Sequence, residues 1–572
     1  MTRSNTKTHA RDLKRLRKPA RLALLLIYCL SAGFAQSYDL VLTNGRVMDG
    51  TGNPAFPADV AIRDGKIVAV GRRGNATAAS TIDAKGKLIV AGFVDLHSHA
   101  ARGLSSDEAQ RRSAPNLVTQ GITTVVLNSD GGGPWPLSEQ RATLSRLGIG
   151  LNAVLMVGHN AIRRRALGDD YKRTATPEEI QRMKAMVREG MGDGAFGITA
   201  GLEYVPGIWS DTEELVSLVG EIAPFGGVYI VHQRSESTEP DWYLASQDPK
   251  GLPSMVDAVQ ETIEIGERTG ARVVSSHLKA MGAHYWGSVG AAIRLISRAR
   301  SRGVDVWADQ YPYHSTGGDG SMVLIPDWAV GENILDEAAT EGKKDYASAL
   351  RQTMDDSEKA ADVRRDMTHE MSRRGGPENI IVFDHPDSTF VGKTLDQLAQ
   401  ARGIDPIRMA LELQYEGYRD RIGGARLRGF SVWEEDLKTL MKLPWVATST
   451  DAGITLKTDK PVHARFYGSY PRKLKRYAID DGVLSLEDAV RSATSLPAQI
   501  LGLRDRGLVR EGFYADLVVL DLANLADKAT FFEPHQYSEG VDYVFVNGAA
   551  VVANGRPTGE LSGEVLKPSA PR

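Results

Sequence analysis

Stretches in which apolar and polar residues alternate open and close the chain, while the long middle shows a different rhythm. Tyr38 to Val47 (YDLVLTNGRV) and Val60 to Val70 (VAIRDGKIVAV) alternate with a period of two, the first around Asn44-Gly45, the second around Asp64-Gly65. Asn-Gly and Asp-Gly tolerate the left-handed backbone of a two-residue turn, so both stretches predict β-hairpins. Ala515 to Leu520 and Val541 to Asn554 repeat the scheme at the far end, with Asn547-Gly548 as the turn. In the middle, short apolar runs recur without alternation: Leu88–Val94, Thr123–Leu127, Ala153–Val157, Phe196–Thr199, Val228–Val231, Arg272–Ser276, Val304–Ala308 and Val446–Thr448. Amphipathic helical stretches separate most of them. Pro177 to Glu189 follows Thr176 as N-cap with Glu179 three residues on, and Ser254 to Thr269 runs into Gly270. Eight buried-type strands alternating with helices predict an α/β fold, a (β/α)8 barrel rather than an open sheet. The interval before the eighth run is too long for one helix. It predicts an insertion over about 325–440, whose charged segments read as solvated helices.

Composition narrows this picture. A chain of 572 residues exceeds one compact domain, and 42% hydrophobic and 25% charged residues are ordinary for a globular protein. A formal net charge of −3 gives no nucleic-acid footprint, and one cysteine makes neither an intramolecular disulfide nor a cysteine-rich zinc site. The charge is unevenly spread. Residues 1–35 hold eight of the 69 Lys and Arg and one of the 72 Asp and Glu, so the remainder carries an excess of ten acidic groups. Behind the basic stretch an apolar run from Leu22 to Leu30 leads into Ser31-Ala32-Gly33-Phe34-Ala35, the layout of a signal peptide cleaved near Ala35. Leu22 to Phe34 falls short of the roughly 20 residues of a spanning helix, so no stable membrane anchor is expected after cleavage. Cys29 lies in this leader, and Tyr28 before it argues against lipoprotein attachment. The expectation is an exported protein, periplasmic or secreted, without a cysteine once cleaved.

The histidines carry the chemistry. The first barrel run ends Asp95-Leu96-His97-Ser98-His99, and residues two apart in a strand share a face, so both imidazoles point into the barrel mouth. Barrel enzymes place their reacting groups at these strand ends. The fifth run ends at His232, the sixth at His277 and the eighth at Asp451. In a barrel these ends converge, and five imidazole and carboxylate donors at one point predict a metal site.

These motifs resemble the amidohydrolase superfamily, in its D-aminoacylase (N-acyl-D-amino-acid deacylase) branch. The resemblance is carried by VDLHSH, QGITTVV (Gln120–Val126), GLEYVPG (Gly201–Gly207), VHQRSES (Val231–Ser237), SSHLKA (Ser275–Ala280), DQYPY (Asp309–Tyr313), TSTDAG (Thr448–Gly453), HARFYGSYPR (His463–Arg472), TSLPAQILGL (Thr494–Leu503) and GFYADLVVLD (Gly512–Asp521). It implies a metal-bearing barrel over 92–502 and a small β-sandwich made from both chain ends, 36–91 and 503–572. It also implies that His97, His99 and Asp451 bind one metal and His232 and His277 another, with Asp451 as the base. Zinc is the expected metal; Mn, Co and Ni suit the same donors. The branch often takes a bridging cysteine from an Asn-Cys-Gly stretch after the second strand, where this chain has Asn128-Ser129-Asp130-Gly131. The fourth run (AFGITAGLEY) lacks the lysine that other superfamily members carboxylate. Glu203 is the expected bridge, with Asp130 the second candidate. For a substrate carboxylate the resemblance implies Lys279 and Tyr313, with Arg465 a further candidate. His159 and Arg163 resemble a stretch beside the site, and His284, His314 and His463 are left as candidates for the mouth.

The expected activity is metal-dependent hydrolysis of a small-molecule linear amide, an N-acyl-D-amino acid or D-configured dipeptide. The same donors could open a cyclic amide or lactone in the manner of a hydantoinase or dihydroorotase, although those usually carry the fourth-strand lysine. A non-catalytic exported binding protein has no need of Asp451 as a base.

Overall fold

The computed structural model describes residues 38–72, 77–317, 322–331 and 345–569; the leader expected over 1–35 lies outside them. Eight strands make the barrel: β1 (Phe93–Asp95), β2 (Ile122–Val126), β3 (Asn152–Val154), β4 (Gly197–Gly201), β5 (Val228–His232), β6 (Arg272–Ser275), β7 (Val306–Gln310) and β8 (Val446–Thr448). All neighbouring pairs are parallel. The third strand is interrupted: Asn152–Val154 pairs with β2, and Val157–Gly158 pairs with β4. The ring closes just beyond the strand ends, where Ala452 and Gly453 pair with Ser98 and His99. His97 and His99 therefore sit at the seam of the barrel. Near-continuous Val, Ile and Ala runs fill the strands because both faces are buried, against the interior and against the outer helices.

The helices obey their end signals. Thr176 and Glu179 form a capping box at the start of Pro177–Gly192. Ser254 and Asp257 do the same for Met255–Thr269, which Gly270 ends in left-handed conformation. Among the described residues no helix is long and apolar enough to cross a membrane.

Strands from the two chain ends join in one nine-stranded sheet, in which Leu88–Ala91 lies between Tyr38–Met48 and Leu517–Leu520. Asp64-Gly65 and Asn547-Gly548 turn hairpins as expected. Asn44-Gly45 does not: Tyr38–Met48 is one strand with an irregularity there, and Asn44 has φ +56°. Asn-Gly suits a bulge as well as a turn. Here the bulge splits the strand's partners, since Tyr38–Thr43 pairs with Ala78–Asp83 and Arg46–Met48 with Leu88–Val90. A Cβ at Gly45 would stand 2.3 Å from the Ile89 side chain, so the bulge also needs its glycine.

Between β7 and β8 the insertion forms a unit with its own core. Helices Tyr346–Met354, Ser357–Arg373, Leu395–Arg402 and Pro406–Glu416 pack with the antiparallel pair Ile380–Asp384 and Arg426–Gly429 around Leu350, Met367, Val382 and Leu413. Its Arg426–Gly429 strand and the end of its second helix reach the barrel mouth.

Candidate metal centre and active site

Strand ends bring the expected donors together at the floor of a cavity of about 740 Å³. His97 is buried, with its Nε2 3.4 Å from Asp130 Oδ1 and 3.6 Å from Asp451 Oδ1. His99 faces the cavity, and its Nε2 lies 3.0 Å from Asp451 Oδ1 and 3.5 Å from Asp130 Oδ2. On the other side His232 Nδ1 stands 3.1 Å from His277 Nε2, and His277 Nε2 is 3.9 Å from Asp130 Oδ1. Two donors of one tetrahedral zinc, each about 2.0–2.1 Å from it, are about 3.3 Å apart. Most of these separations lie near that figure.

The carboxylate between the two histidine pairs is Asp130, not Glu203. Asp130 reaches His97, His99 and His277. Glu203 lies on the outer side of His232: its Oε2 is 2.9 Å from Nε2, and its Oε1 accepts from the Asp241 backbone N–H at 2.9 Å. The expected bridging position of Glu203 is thus corrected. It stands just past β4 and reaches only the His232 side, whereas a turn after β2 swings Asp130 inward. Asp130 (φ +56°), His277 (φ +34°) and Asp451 (φ +49°) all have left-handed backbone, uncommon for residues other than glycine.

The histidines are oriented by groups behind them. His97 Nδ1 is 2.6 Å from Ser276 Oγ, and that hydroxyl donates to Asp309 Oδ2 at 2.8 Å. The Ser276 proton is thus committed to Asp309, so His97 carries its own proton on Nδ1 and turns an Nε2 lone pair toward Asp130 and Asp451. Asp309 Oδ1 also accepts from the His277 backbone N–H (3.0 Å) and Ser449 Oγ (2.6 Å), joining the ends of β6 and β8. His277 Nδ1 lies 2.8 Å from Glu236 Oε1.

Charge is distributed accordingly. Burial pushes the Asp130 carboxyl up, but the imidazoles of His97, His277 and His99 outweigh it and hold it well below the usual range. Burial opposes ionisation of Asp451 too, and Arg465 with His99 overcomes it. Burial lowers His97 to about 4. Burial and Lys279 press His277 down, yet Glu236 and Asp130 keep it up at about 10.

The residues expected to hold a substrate carboxylate fare differently. Arg465 lines the cavity with Nη2 3.1 Å from Asp451 Oδ2. Lys279 lines it as well, but its ammonium is in contact with Glu236, four residues after His232, which no sequence pattern had singled out. Tyr313 does not line this cavity: it is buried in an aromatic cluster, and its hydroxyl donates to the Ala464 carbonyl. The tyrosine facing the site is Tyr311, with the Arg465 guanidinium 4.7 Å from its ring centre. His159 and Arg163 both pair with the buried Glu214, and Arg163 also donates to the Pro206 and Trp209 carbonyls, steadying the loop after Glu203. His284, His314 and His463 do not line the cavity. His463 is buried, with Nδ1 accepting from the Arg465 N–H, His284 pairs with Thr238 and Ser372, and His314 stacks on Phe430.

A model described as "Amidohydrolase family" matches residues 80–306 and 340–552. A D-aminoacylase of Alcaligenes xylosoxydans xylosoxydans is 30% identical over 95% of this chain and 100% of its own length. An N-acyl-D-glutamate deacylase of the same organism is 29% identical over 94% and 98%. Among solved structures, a D-aminoacylase superposes with TM-score 0.69 at 30% identity over 93% of this chain and all of its own. The N-acyl-D-glutamate deacylase of Bordetella bronchiseptica, complexed with zinc and a phosphonate mimic of the tetrahedral intermediate, gives the same TM-score at 29%, over 93% of this chain and all of its own. The donor cluster at the barrel's strand ends and these matches agree: the chain belongs to the amidohydrolase family.

Proposed function

We propose that this protein is a metal-dependent N-acyl-D-amino-acid deacylase. The observation that carries the reading is a pair of buried, unsatisfied donor atoms: His97 Nε2 and Asp130 Oδ1 stand 3.4 Å apart, and neither has a hydrogen-bond partner. Buried polar atoms are rarely left so, and an ion between them satisfies both. His97, His99, Asp130 and Asp451 would hold one zinc; His232 and His277, with Asp130 shared, would hold a second. A divalent ion bound there makes a nucleophile of water near neutral pH and polarises the amide carbonyl.

The chain's own groups do the rest. Asp451, ionised and facing the cavity, accepts the proton of the attacking water and returns it to the departing amine. Arg465 holds Oδ2 of that carboxylate at 3.1 Å, which leaves Oδ1 toward the histidines. Glu203, Ser276 and Glu236 fix the rings of His232, His97 and His277 from behind. The substrate's α-carboxylate meets the cationic side of the cavity at Arg465, Tyr311 and Lys279. The whole-length likeness to D-aminoacylases favours linear over cyclic amides, since the hydantoinase match is 15% identical and speaks to the fold alone. Export to the periplasm or medium is proposed on the basic and apolar pattern of residues 1–35.

The test is chiral product analysis on matched N-acetyl-D- and N-acetyl-L-methionine with metal-loaded enzyme, alongside Asp451→Asn. The expected result is hydrolysis of the D-substrate, with kcat in the variant down by about 10²–10⁴. Undiminished turnover by the variant refutes the role of Asp451. The deacylase is refuted if neither methionine enantiomer nor N-acetyl-D-glutamate, N-acetyl-D-glutamine, N-succinyl-D-alanine or N-butyryl-D-alanine is hydrolysed.

A further inference from the structure

We propose that the cavity wall supplied by the insertion is a second anion subsite, which takes a carboxylate of the substrate other than its α-carboxylate. The inference rests on the deacylase reading and names the substrate class within it. Arg374, next after the helix Ser357–Arg373, and Arg428, on the strand Arg426–Gly429, both line the cavity and converge on Thr316. Arg374 Nη1 is 3.4 Å from Thr316 Oγ1, and Arg428 Nη1 is 3.2 Å from the Thr316 carbonyl and 3.3 Å from Ser315 Oγ. The apolar part of the wall touches the same point, with Met281 Sδ 3.8 Å from Thr316 Oγ1. A Cβ at Gly429 would stand 2.8 Å from Arg374 Cβ and 3.0 Å from Met322 Sδ. Glycine there lets a guanidinium and a thioether lie side by side at the cavity wall.

Lys279, Arg465 and Arg374 each have one carboxylate partner, but at the metal end that carboxylate belongs to the centre itself or supports its histidine. Beside the metal donors, Lys279 has Glu236 and Arg465 has Asp451. In the insertion wall, Arg374 meets Glu370 only through Nε, at 2.7 Å, and Glu370 also binds Arg373 through Nε and Nη2. The outer edge of Arg374 is left for a ligand. A guanidinium edge with a hydroxyl beside it is carboxylate-binding chemistry, and the thioether and aliphatic wall of Met281, Met322, Val323 and Leu427 accepts a methylene stem leading to it. The chemistry is the same whether that carboxylate ends the amino-acid side chain or the acyl group.

Two substrate pairs separate these sources: N-acetyl-D-glutamate against N-acetyl-D-glutamine, and N-succinyl-D-alanine against N-butyryl-D-alanine. Each is measured as kcat/KM with the metal-loaded enzyme. The expected result is a charged-to-neutral ratio above 10 in one pair, which identifies the source. That ratio collapses toward one in Arg374→Met and is partly kept in Arg374→Lys. A ratio cancels losses from imperfect folding. Ratios near one in both pairs, or a high ratio undiminished in Arg374→Met, overturn the subsite and leave the deacylase standing. Failure to hydrolyse any of these four substrates or N-acetyl-D-methionine overturns the deacylase itself, and the subsite with it.

Discussion

Removing one hydroxyl tests whether the metal centre is set from behind. Ser276 is 1% exposed and is the link between His97 and Asp309. In Ser276→Ala the His97 Nδ1–H loses its acceptor at 2.6 Å, in a place water does not reach. An unsatisfied buried donor costs about 1–3 kcal/mol. The ring can escape by turning or by moving its proton to Nε2, and either removes the lone pair that faces Asp130 and Asp451. Loss of such a supporting group typically weakens metal binding by about 10–100-fold, or about 1.4–2.7 kcal/mol. Asp309 keeps its contacts to Ser449 and the His277 N–H, so the ends of β6 and β8 stay in place. The loss is therefore expected at the His97–His99 side, with the His232–His277 side little changed. The assay is competition for zinc against a chromophoric chelator, resolved into tight and weak equivalents, with thermal unfolding of the metal-free protein as the measure of folding. Two equivalents bound with wild-type affinity refute the argument. So does a stability loss with no change in affinity.

Two further outcomes follow, one from the site and one from the helical segment packed behind β8. Asp130→Ala is expected to lower bound metal on both sides, because its carboxylate reaches His97, His99 and His277. Glu203→Ala should retain at least one equivalent, since it supports only His232; elemental analysis per chain decides, and the reverse order returns the bridge to Glu203. Lys473 is 3% exposed, donates to Thr448 Oγ1 at 2.8 Å, and is lowered to about 7 by burial. Its folded pKa lies below the unfolded value of about 10.4, so the unfolded chain holds more protons between these values and stability rises with pH across that window. Lys473→Met removes this contribution, worth up to a few kcal/mol. Denaturant unfolding from pH 7 to 10 should give a flatter profile in the variant than in the wild type, and parallel profiles would contradict the burial argument.

The barrel was legible because strand burial and helix capping are local properties. Each of the eight apolar runs supplied a barrel strand, although the first was split and gave Leu88–Ala91 to the terminal sheet, and the donors at their ends converged. The failures are places where local chemistry permits two outcomes. Asn44-Gly45 has the backbone freedom of a turn and serves as a bulge because two different strands pair with either side of it. Tyr311 and Tyr313 are two apart, but the chain leaves strand geometry at Gln310, so shared facing no longer holds and only Tyr311 reaches the cavity. Glu203 against Asp130 turned on the path of short loops, which spacing along the chain does not determine. Glu236, Asp309 and Ser276 lay in motifs already noticed, yet a partner behind a histidine is defined by contact across strands. The guanidinium wall was invisible for a simpler reason: Arg374 and Arg428 belong to an insertion whose position on the barrel no local pattern encodes.

The left-handed residues of the centre set folding against function. Asp130, His277 and Asp451 each hold a conformation that glycine adopts without strain and that costs other residues of order 1–3 kcal/mol. Glycine at any of the three would suit the backbone better and delete a donor. The native fold is therefore less stable than its own topology permits, and the deficit is concentrated at the atoms that face the metal. Mutations that relieve it should appear readily in a search for stability and be rejected in a search for activity.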